Sequence, residues 1–128
     1  MKYVLIVDDD QDLASMFQMR LQGEGFEVAV AYDGKEALQS IQKRAPDMIV
    51  MDAVMPGLNG LAALKQINQM TDKKIPVIIV TGKALMIEQA FRLEGAEAFL
   101  IKPVDGNNLV KQIREIFSKR SADSDSLK

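Results

Sequence analysis

The chain alternates between two patterns of apolar and polar positions. Five short and nearly continuous apolar runs predict β-strands. The segments between them carry apolar residues three or four positions apart, which predicts α-helices. The predicted strands are 3–7, 27–31, 48–51, 76–80 and 97–101.

Each predicted helix has an apolar face that we expect to pack on the sheet. Glycines mark helix ends, with Gly23 and Gly25 after the first helix and Gly95 after the fourth. The five faces are marked, in chain order, by Leu13, Met16, Phe17 and Leu21; Ala37, Leu38 and Ile41; Leu61, Leu64 and Ile67; Ile87, Ala90, Phe91 and Leu93; and Leu109, Ile113, Ile116 and Phe117.

Nearly continuous apolar strands are typical of a parallel sheet that helices cover on both faces. The sequence therefore predicts an α/β protein with a doubly wound (βα)5 fold in three layers. In such a fold the ligand site lies beyond the carboxyl ends of the strands. We therefore expect the functional side chains to follow the strands directly.

The length of 128 residues fits one compact domain. We place this domain at residues 1–118, because the residues from Ser118 onward are polar and have almost nothing to bury. Residues 119–128 are predicted to form a frayed end or the start of a linker.

Composition narrows the classes of function. The apolar fraction is 48%, but no apolar run is long enough to span a membrane or to act as a secretory signal, so we expect a cytoplasmic protein. The net charge of −2 and the scattered basic residues argue against direct binding of nucleic acid. The chain has no Cys and no His, which excludes the usual zinc sites and His-dependent catalysis.

Polar side chains follow four of the predicted strands and converge on one edge of the predicted sheet. Two carboxylates about 4 Å apart repel by roughly 4 kcal/mol at an effective dielectric of about 20, so such a group of carboxylates requires a cation or a proton. The residues are Asp8, Asp9 and Asp10 after the first strand, Asp52 after the third, Thr81 after the fourth and Lys102 after the fifth.

These residue types suit phosphoryl chemistry. Mg²⁺, with Mn²⁺ as an alternative, prefers hard oxygen ligands such as the carboxylates of Asp8, Asp9 and Asp52. A carboxylate is also a nucleophile that accepts a phosphoryl group, and the transfer needs mainly positioning and positive charge. Further donors to the phosphoryl oxygens are Lys102, the Thr81 hydroxyl and the backbone N–H groups of Ala53 and Gly82.

Some of these residues also have purely structural interpretations. Asp10 or Asp12 is predicted to be the N-cap of the first helix. Gly60 is predicted to start a helix and to meet either a conformational or a close-packing requirement for glycine. The segment Met55-Pro56-Gly57 predicts a tight turn, and the Lys102-Pro103 bond is a candidate for the cis form.

The motifs Val7-Asp8-Asp9, Asp52 with Met55-Pro56 and Gly60, Thr81-Gly82 and Lys102-Pro103 together resemble the receiver domains of bacterial two-component response regulators. The resemblance covers about residues 2–118. It implies a flavodoxin-like sheet with strand order 2-1-3-4-5. It also implies a phosphoacceptor switch, rather than an enzyme, that assists its own phosphorylation and dephosphorylation.

The resemblance further implies residue roles. Asp52 would accept a phosphoryl group from a histidine kinase or a phosphotransfer protein, and Thr81 and Lys102 would bind the phosphoryl oxygens. Phe99 falls at the aromatic switch position, next to a surface of helix four, strand five and helix five that binds a downstream protein target. Mg²⁺ would be held by Asp8, Asp9, Asp52 and the backbone carbonyl of Val54.

Five positions depart from common patterns of the family. Ala53 and Ala98 stand where acidic residues are frequent, and Lys111 stands where many transcription regulators carry arginine, which puts the dimer of that subfamily in doubt. Val54 and Lys83 provide no acid or amide to orient an attacking water, so we expect a long-lived phosphoryl group.

The sequence leaves alternatives open. The leading hypothesis is a stand-alone regulator or relay intermediate, and the nearest rival is a receiver that belongs to a longer regulator. Asp8-x-Asp10 also resembles the nucleophile motif of haloacid-dehalogenase-like phosphatases, although Asp52 would then have no role. A flavin mononucleotide carrier is disfavoured because three aspartates would repel its phosphate. A docking module that is never phosphorylated is disfavoured because every residue needed for phosphorylation is present.

Overall fold

The computed structural model describes residues 1–55, 57, 59–70, 74–82 and 87–126. Five strands alternate with five helices along the described chain, as the apolar periodicity predicts. The elements are β1 Tyr3–Val7, α1 Gln11–Gly23, β2 Glu27–Ala31, α2 Gly34–Lys43, β3 Met48–Met51, α3 Gly60–Met70, β4 Val77–Thr81, α4 Glu88–Leu93, β5 Ala98–Ile101 and α5 Gly106–Ser126.

The five strands form one parallel sheet in the order β2-β1-β3-β4-β5, which confirms the predicted fold class and strand order. Two strand positions differ slightly from the prediction. β5 begins at Ala98, one residue late, and β4 runs from Val77 to Thr81. Thr81 therefore ends its strand rather than following it, because this β-branched residue pairs with Ile101 of β5.

Alternate residues of the central strands point to two separate apolar cores. In β1, Leu5 and Val7 pack toward α2, α3 and α4, whereas Val4 and Ile6 pack toward α1 and α5. Every residue of β1, β3 and β4 is buried, as expected for strands covered on both faces. β2 and β5 are only partly buried, because they lie at the two edges of the sheet.

Three residues that the helical pattern assigns to the core are exposed: Met16, Ala90 and Leu93. Met16 is 55% exposed and Leu93 is 80% exposed. Met16 lies about 100° around α1 from the buried Phe17, and Leu93 lies about 200° around α4 from the buried Phe91. One residue of each pair therefore faces away from the sheet.

α5 is longer than the sequence indicates, since it continues through residues 118–126 as far as Ser126 instead of fraying after Phe117. This segment contains no glycine or proline to end a helix. Arg120 also ties it to the sheet through an ion pair with Glu97 and a hydrogen bond to the Lys74 carbonyl at 3.4 Å.

Candidate functional site

Four of the predicted site residues meet where the strands end, at what we call the carboxyl edge of the sheet. Asp8 follows β1, Asp52 follows β3, Thr81 ends β4 and Lys102 follows β5. Backbone hydrogen bonds extend the ladder past the strands: the Asp52 N–H donates to the Val7 carbonyl at 2.9 Å, and the Lys102 N–H donates to the Thr81 carbonyl at 2.8 Å. The sheet therefore fixes the backbone from which these side chains project.

Three carboxylates form a compact cluster at this edge. One oxygen from each of Asp8, Asp9 and Asp52 lies within 4.8 Å of the others. Asp8 and Asp52 are buried, whereas Asp9 is exposed. Opposite ligands of an octahedral Mg²⁺ lie about 4.2 Å apart, twice the bond length of about 2.1 Å, so small side-chain adjustments would close this set around the ion. The donor set fits a hard divalent cation.

Lys102 bridges the two buried carboxylates of the cluster. Its Nζ donates to Asp52 Oδ2 at 3.0 Å and lies 3.1 Å from Asp8 Oδ2. The ammonium therefore reduces the repulsion between Asp8 and Asp52. Sequence reasoning missed this contact, because β5 lies two strands away from β3 and only the length of the lysine side chain spans the gap.

The electrostatics of the site combine burial with pairing. Burial raises the pKa of the Asp8 carboxyl above its usual value, and the charge of Asp52 adds to the rise, against the hydrogen bonds from the Asp10 N–H and Lys102. Burial opposes the charged form of Lys102, but its hydrogen bonds to Asp52 and Asp8 outweigh burial and raise its pKa. Lys102 is therefore a permanent cation in this site.

Backbone donors orient the carboxylates. The Val54 N–H donates to Asp52 Oδ1 at 3.1 Å, and the Asp10 N–H donates to Asp8 Oδ1 at 2.9 Å. Asp10 itself accepts the Leu13 N–H at 3.1 Å and caps α1, which confirms the structural interpretation of this aspartate. Asp10 is therefore occupied by capping and does not belong to the carboxylate cluster.

Gly60 starts α3 in direct contact with the backbone of the site. A Cβ at this position would lie 2.7 Å from the Asp52 carbonyl oxygen and 2.8 Å from both the Ala53 Cα and the Ala53 carbonyl oxygen. The Gly60 N–H also donates to the Ala53 carbonyl at 3.0 Å. Of the two requirements predicted for Gly60, the structure shows close packing, which positions α3 against the segment that carries Asp52.

The loops around the site carry two further features. The Lys102-Pro103 peptide bond is cis, which resolves that alternative. Gly57 has a φ of 77°, a value that favours glycine in a turn. Pro56, which belongs to the predicted tight turn, lies outside the described residues. Lys83, which was predicted to provide no group that orients an attacking water, also lies outside them.

The two residues predicted to form the switch are both buried. Thr81 is 1% exposed, and Phe99 is 9% exposed and belongs to the core beneath α4. The Phe99 ring lies 6.3 Å from the Phe91 ring, centroid to centroid, at an angle of 49°. The aromatic side chain of β5 therefore packs inward against α4.

The model for the response regulator receiver domain matches residues 4–114. The DNA-binding response regulator MtrA of Mycobacterium tuberculosis is 35% identical over 112 residues, which cover 87% of this chain and 48% of that protein. The response regulator ArlR of Staphylococcus saprophyticus is 33% identical over 121 residues, 94% of this chain and 54% of that protein. The chain spans about half the length of these relatives.

Solved structures give the same picture. The chemotaxis protein CheY4 of Vibrio cholerae superposes with a TM-score of 0.84 at 33% identity, covering 90% of this chain and 98% of that one. A CheY-like receiver domain from Methanospirillum hungatei gives a TM-score of 0.89 at 29% identity, covering 96% and 98%. The chain belongs to the response regulator receiver domain family, whose members are signalling switches of two-component systems.

Family membership bears on the earlier alternatives. It gives no support to the phosphatase hypothesis, in which Asp10 would act in catalysis, and the structure engages Asp10 in capping. Phosphorylation on aspartate and binding of Mg²⁺ through acidic residues are typical of this family. No helix among the described residues is long and apolar enough to cross a membrane.

Proposed function

We propose that Asp52 accepts a phosphoryl group from the phosphohistidine of a histidine kinase or a phosphotransfer protein. The observation that carries the proposal is the setting of its carboxylate, which lies 3.0 Å from Lys102 and within 4.8 Å of the carboxylates of Asp8 and Asp9. An Asp52 oxygen forms the new bond to phosphorus while the bond from phosphorus to the imidazole nitrogen breaks. The imidazole leaves with a proton.

Several residues around Asp52 stabilise the negative charge of the phosphoryl oxygens. Lys102 pairs with the phosphoryl oxygens, and the Thr81 hydroxyl and the backbone N–H groups of Ala53 and Gly82 donate to them. None of the described atoms beyond the neighbouring residues lies within 4 Å of the place where a Gly82 Cβ would stand, so none of them blocks a phosphoryl oxygen there. Mg²⁺ would supply further positive charge, held by Asp8, Asp9, Asp52 and the carbonyl of Val54.

Phosphorylation then shifts the balance between two packings of the domain. A phosphoryl group adds a charge near −2, and the packing in which Thr81 approaches it is favoured. Phe99 packs against Phe91 of α4, so movement of this ring links the site to the surface formed by α4, β5 and α5. We place the binding site of a downstream protein target on this surface. We also expect phosphorylation and target binding to take place in the cytoplasm.

The experiment that tests this function is incubation with acetyl phosphate and Mg²⁺ followed by intact mass spectrometry. We expect one phosphoryl group on the wild-type protein and none on Asp52→Ala or without Mg²⁺. The matched control is Asp47→Ala, which removes an aspartate at the other end of β3 and should leave phosphorylation unchanged. An adduct that persists in Asp52→Ala would contradict the proposal.

A second setting for the same switch is a receiver that forms part of a longer regulator. The observation that favours it is the length of the relatives, which exceeds this chain about twofold and includes a DNA-binding response regulator. The mass of the protein purified from its native cells decides between the two settings: a mass near 14.2 kDa supports a stand-alone regulator, and a larger mass supports a longer one.

A further inference from the structure

A cleft at the opposite end of the sheet has the properties of a binding site. Its volume is about 260 Å³, and it lies where the strands begin, which we call the amino edge. Lys2 directly precedes β1, Asp47 precedes β3 and the segment Lys74 to Pro76 precedes β4, while α5 closes the cleft with Phe117 and Arg120. Three strands and one helix therefore build its walls.

The charges that line this amino-edge cleft are mostly positive. Lys2, Lys74 and Arg120 line the cleft with one acid, Asp47, and Arg120 also pairs with Glu97, which lies outside the lining. The Asp47 carboxylate accepts the Tyr3 N–H at 2.8 Å, so the backbone already uses it. Neither lysine forms a salt bridge with a residue in the described part of the chain. The cleft thus has spare positive charge.

Arg120 supplies the second observation. Its guanidinium pairs with Glu97 and reaches the Lys74 carbonyl, but its Nε is buried and has no acceptor among the described residues. Buried polar atoms in folded proteins nearly always have a partner. Because this atom is buried while the Arg120 side chain as a whole is 35% exposed, an anionic oxygen in the cleft would satisfy the donor only after a small movement of that side chain.

A larger cavity of about 540 Å³ between α1 and α5 offers a comparison inside the same molecule. It also contains cations, but Arg20 and Arg114 each pair with Glu24 at 3.1 Å. Both arginines of this cavity are therefore paired within the protein, although they share one carboxylate. Among the described residues, two lysines of the amino-edge cleft have no salt-bridge partner, against one lysine, Lys111, in the larger cavity, and only the amino-edge cleft holds the unpaired Arg120 Nε.

The remaining walls of the amino-edge cleft are apolar. Pro46, Ile75, Pro76 and Phe117 contribute them, and the Lys2 Nζ lies 5.2 Å from the centre of the Phe117 ring. The cleft is smaller than the roughly 300–1,000 Å³ that is typical of sites for drug-sized ligands. Its ligand is therefore small, with one anionic group and a compact apolar body.

We propose that the amino-edge cleft binds a small organic oxyanion, a phosphate monoester or a carboxylate, whose charged group lies between Lys2, Lys74 and Arg120. The apolar part of this ligand packs on the proline and isoleucine walls. Because the strands separate this cleft from Asp52, binding there does not require phosphorylation of the protein or Mg²⁺.

The test is a titration of the ¹⁵N-labelled protein followed by NMR, with phenyl phosphate, benzoate and inorganic phosphate as probes in buffer without Mg²⁺. We expect saturable shifts of the Arg120 Nε–H signal and of the Tyr3 and Asp47 amides. Saturable binding of either phenyl phosphate or benzoate supports the site. The probe with the higher affinity shows whether the site prefers a phosphate monoester or a carboxylate. Absence of saturable shifts with both would overturn the proposal, as would inorganic phosphate that binds as tightly as phenyl phosphate.

Charge variants make the test specific. Lys2→Gln and Lys74→Gln should each lower the affinity of the more tightly bound probe about fivefold, because each removes one nearby positive charge from a solvated site. Lys119→Gln removes the same charge from α5 outside the cleft lining and should change the affinity little. Asp52→Ala should also bind normally, so this site and the phosphoacceptor role of Asp52 stand or fall separately. Equal affinities in all three glutamine variants would refute the proposal.

Discussion

The two ends of the sheet carry two opposite kinds of candidate site. The carboxyl edge gathers three acids around one base: Asp8, Asp9, Asp52 and Lys102. The cleft at the amino edge gathers three bases around one acid: Lys2, Lys74, Arg120 and Asp47. The two sites therefore have opposite local charge within a protein whose net charge is −2.

Chain direction explains part of this difference. Each helix starts after a strand ends, so helix N-termini, with their partial positive charge, lie toward the carboxyl edge and support carboxylates. Helix C-termini lie toward the amino edge and support cations. The fold thus favours this polarity, but it does not explain the two particular sites. One is a carboxylate cluster sized for a metal ion, and the other contains an arginine donor with no acceptor among the residues that the structure describes.

The largest expected effect comes from breaking the packing under the carboxyl edge. Gly60→Ala places a Cβ 2.7 Å from the Asp52 carbonyl oxygen, where only backbone can give way. We expect a loss of about 2–3 kcal/mol in the free energy of unfolding, measured by urea denaturation. Gly23→Ala is the control, because no described atom lies within 4 Å of its added Cβ, and it should be neutral or slightly stabilising. Equal stabilities would refute the close contact.

The next prediction concerns water at the carboxyl edge. Val54 is 50% exposed beside Asp52 and has no polar group to orient an attacking water. Val54→Asn should therefore speed loss of the phosphoryl group by about tenfold, equivalent to about 1.4 kcal/mol in the barrier. The measurement is a dephosphorylation time course by intact mass. Val54→Ala, which adds no amide, should leave the rate near that of the wild type, and an unchanged rate in Val54→Asn counts against the long-lived phosphoryl group.

The burial of the Asp8 carboxyl, with a smaller contribution from the charge of Asp52, affects how stability depends on pH. The pKa of Asp8 is raised above 3.8, so the folded protein keeps the proton of this carboxyl to a higher pH than the unfolded chain does. The free energy of unfolding therefore falls as the pH rises from 3.8 through the raised pKa. Asp8→Asn should therefore gain about 1 kcal/mol at pH 7 without Mg²⁺. Asp9→Asn, at an exposed position, should change stability by less than about 0.5 kcal/mol.

Adding Mg²⁺ should reverse this difference. The wild-type protein should gain stability from the ion, as any ligand of the folded state provides, whereas Asp8→Asn should gain little. Thermal unfolding with and without Mg²⁺ measures both parts. A variant that is less stable than the wild type in the metal-free buffer would show that Asp8 is a structural residue rather than a strained metal ligand.

The smallest effect is expected at the amino edge, in a surface ion pair. The hydrogen bond from Arg44, against the small opposing effect of burial, holds the pKa of Glu27 below its usual value of 4.5. This pair therefore stabilises the fold above about pH 4.5, and the contribution is lost as pH falls through the lowered pKa. Glu27→Gln should lose a little stability at pH 7 and none at pH 3, and salt should erase the difference. A loss that persists at high salt would contradict a screened surface pair.

Sequence alone predicts most of the fold. The apolar runs of β1, β2 and β3 give their bounds directly, since buried strands leave an unbroken apolar signal. The strand order comes from the family resemblance and not from the pattern. The end of α5 was not predicted, because the segment after Phe117 is polar and the Arg120 contacts that hold it depend on residues distant in sequence.

The candidate site could be predicted as a set of residues but not as a set of contacts. Positions after strands indicate which side chains share an edge, and the capping role of Asp10 follows from its place before α1. That Lys102 contacts both Asp8 and Asp52 depends on side-chain reach across the sheet. The amino-edge cleft is invisible to periodicity, because its cations are single residues far apart in the chain.

The central claim is that the phosphorylation site lies at the carboxyl edge of the sheet and that Asp52 is the residue that accepts the phosphoryl group. Reduction of the acetyl phosphate-treated protein with borohydride converts an aspartyl phosphate to homoserine, which peptide mass spectrometry locates in the sequence. The account predicts homoserine at position 52 alone. Homoserine at position 8 or 9, or none at position 52 in a protein that carries a phosphoryl group, would contradict it.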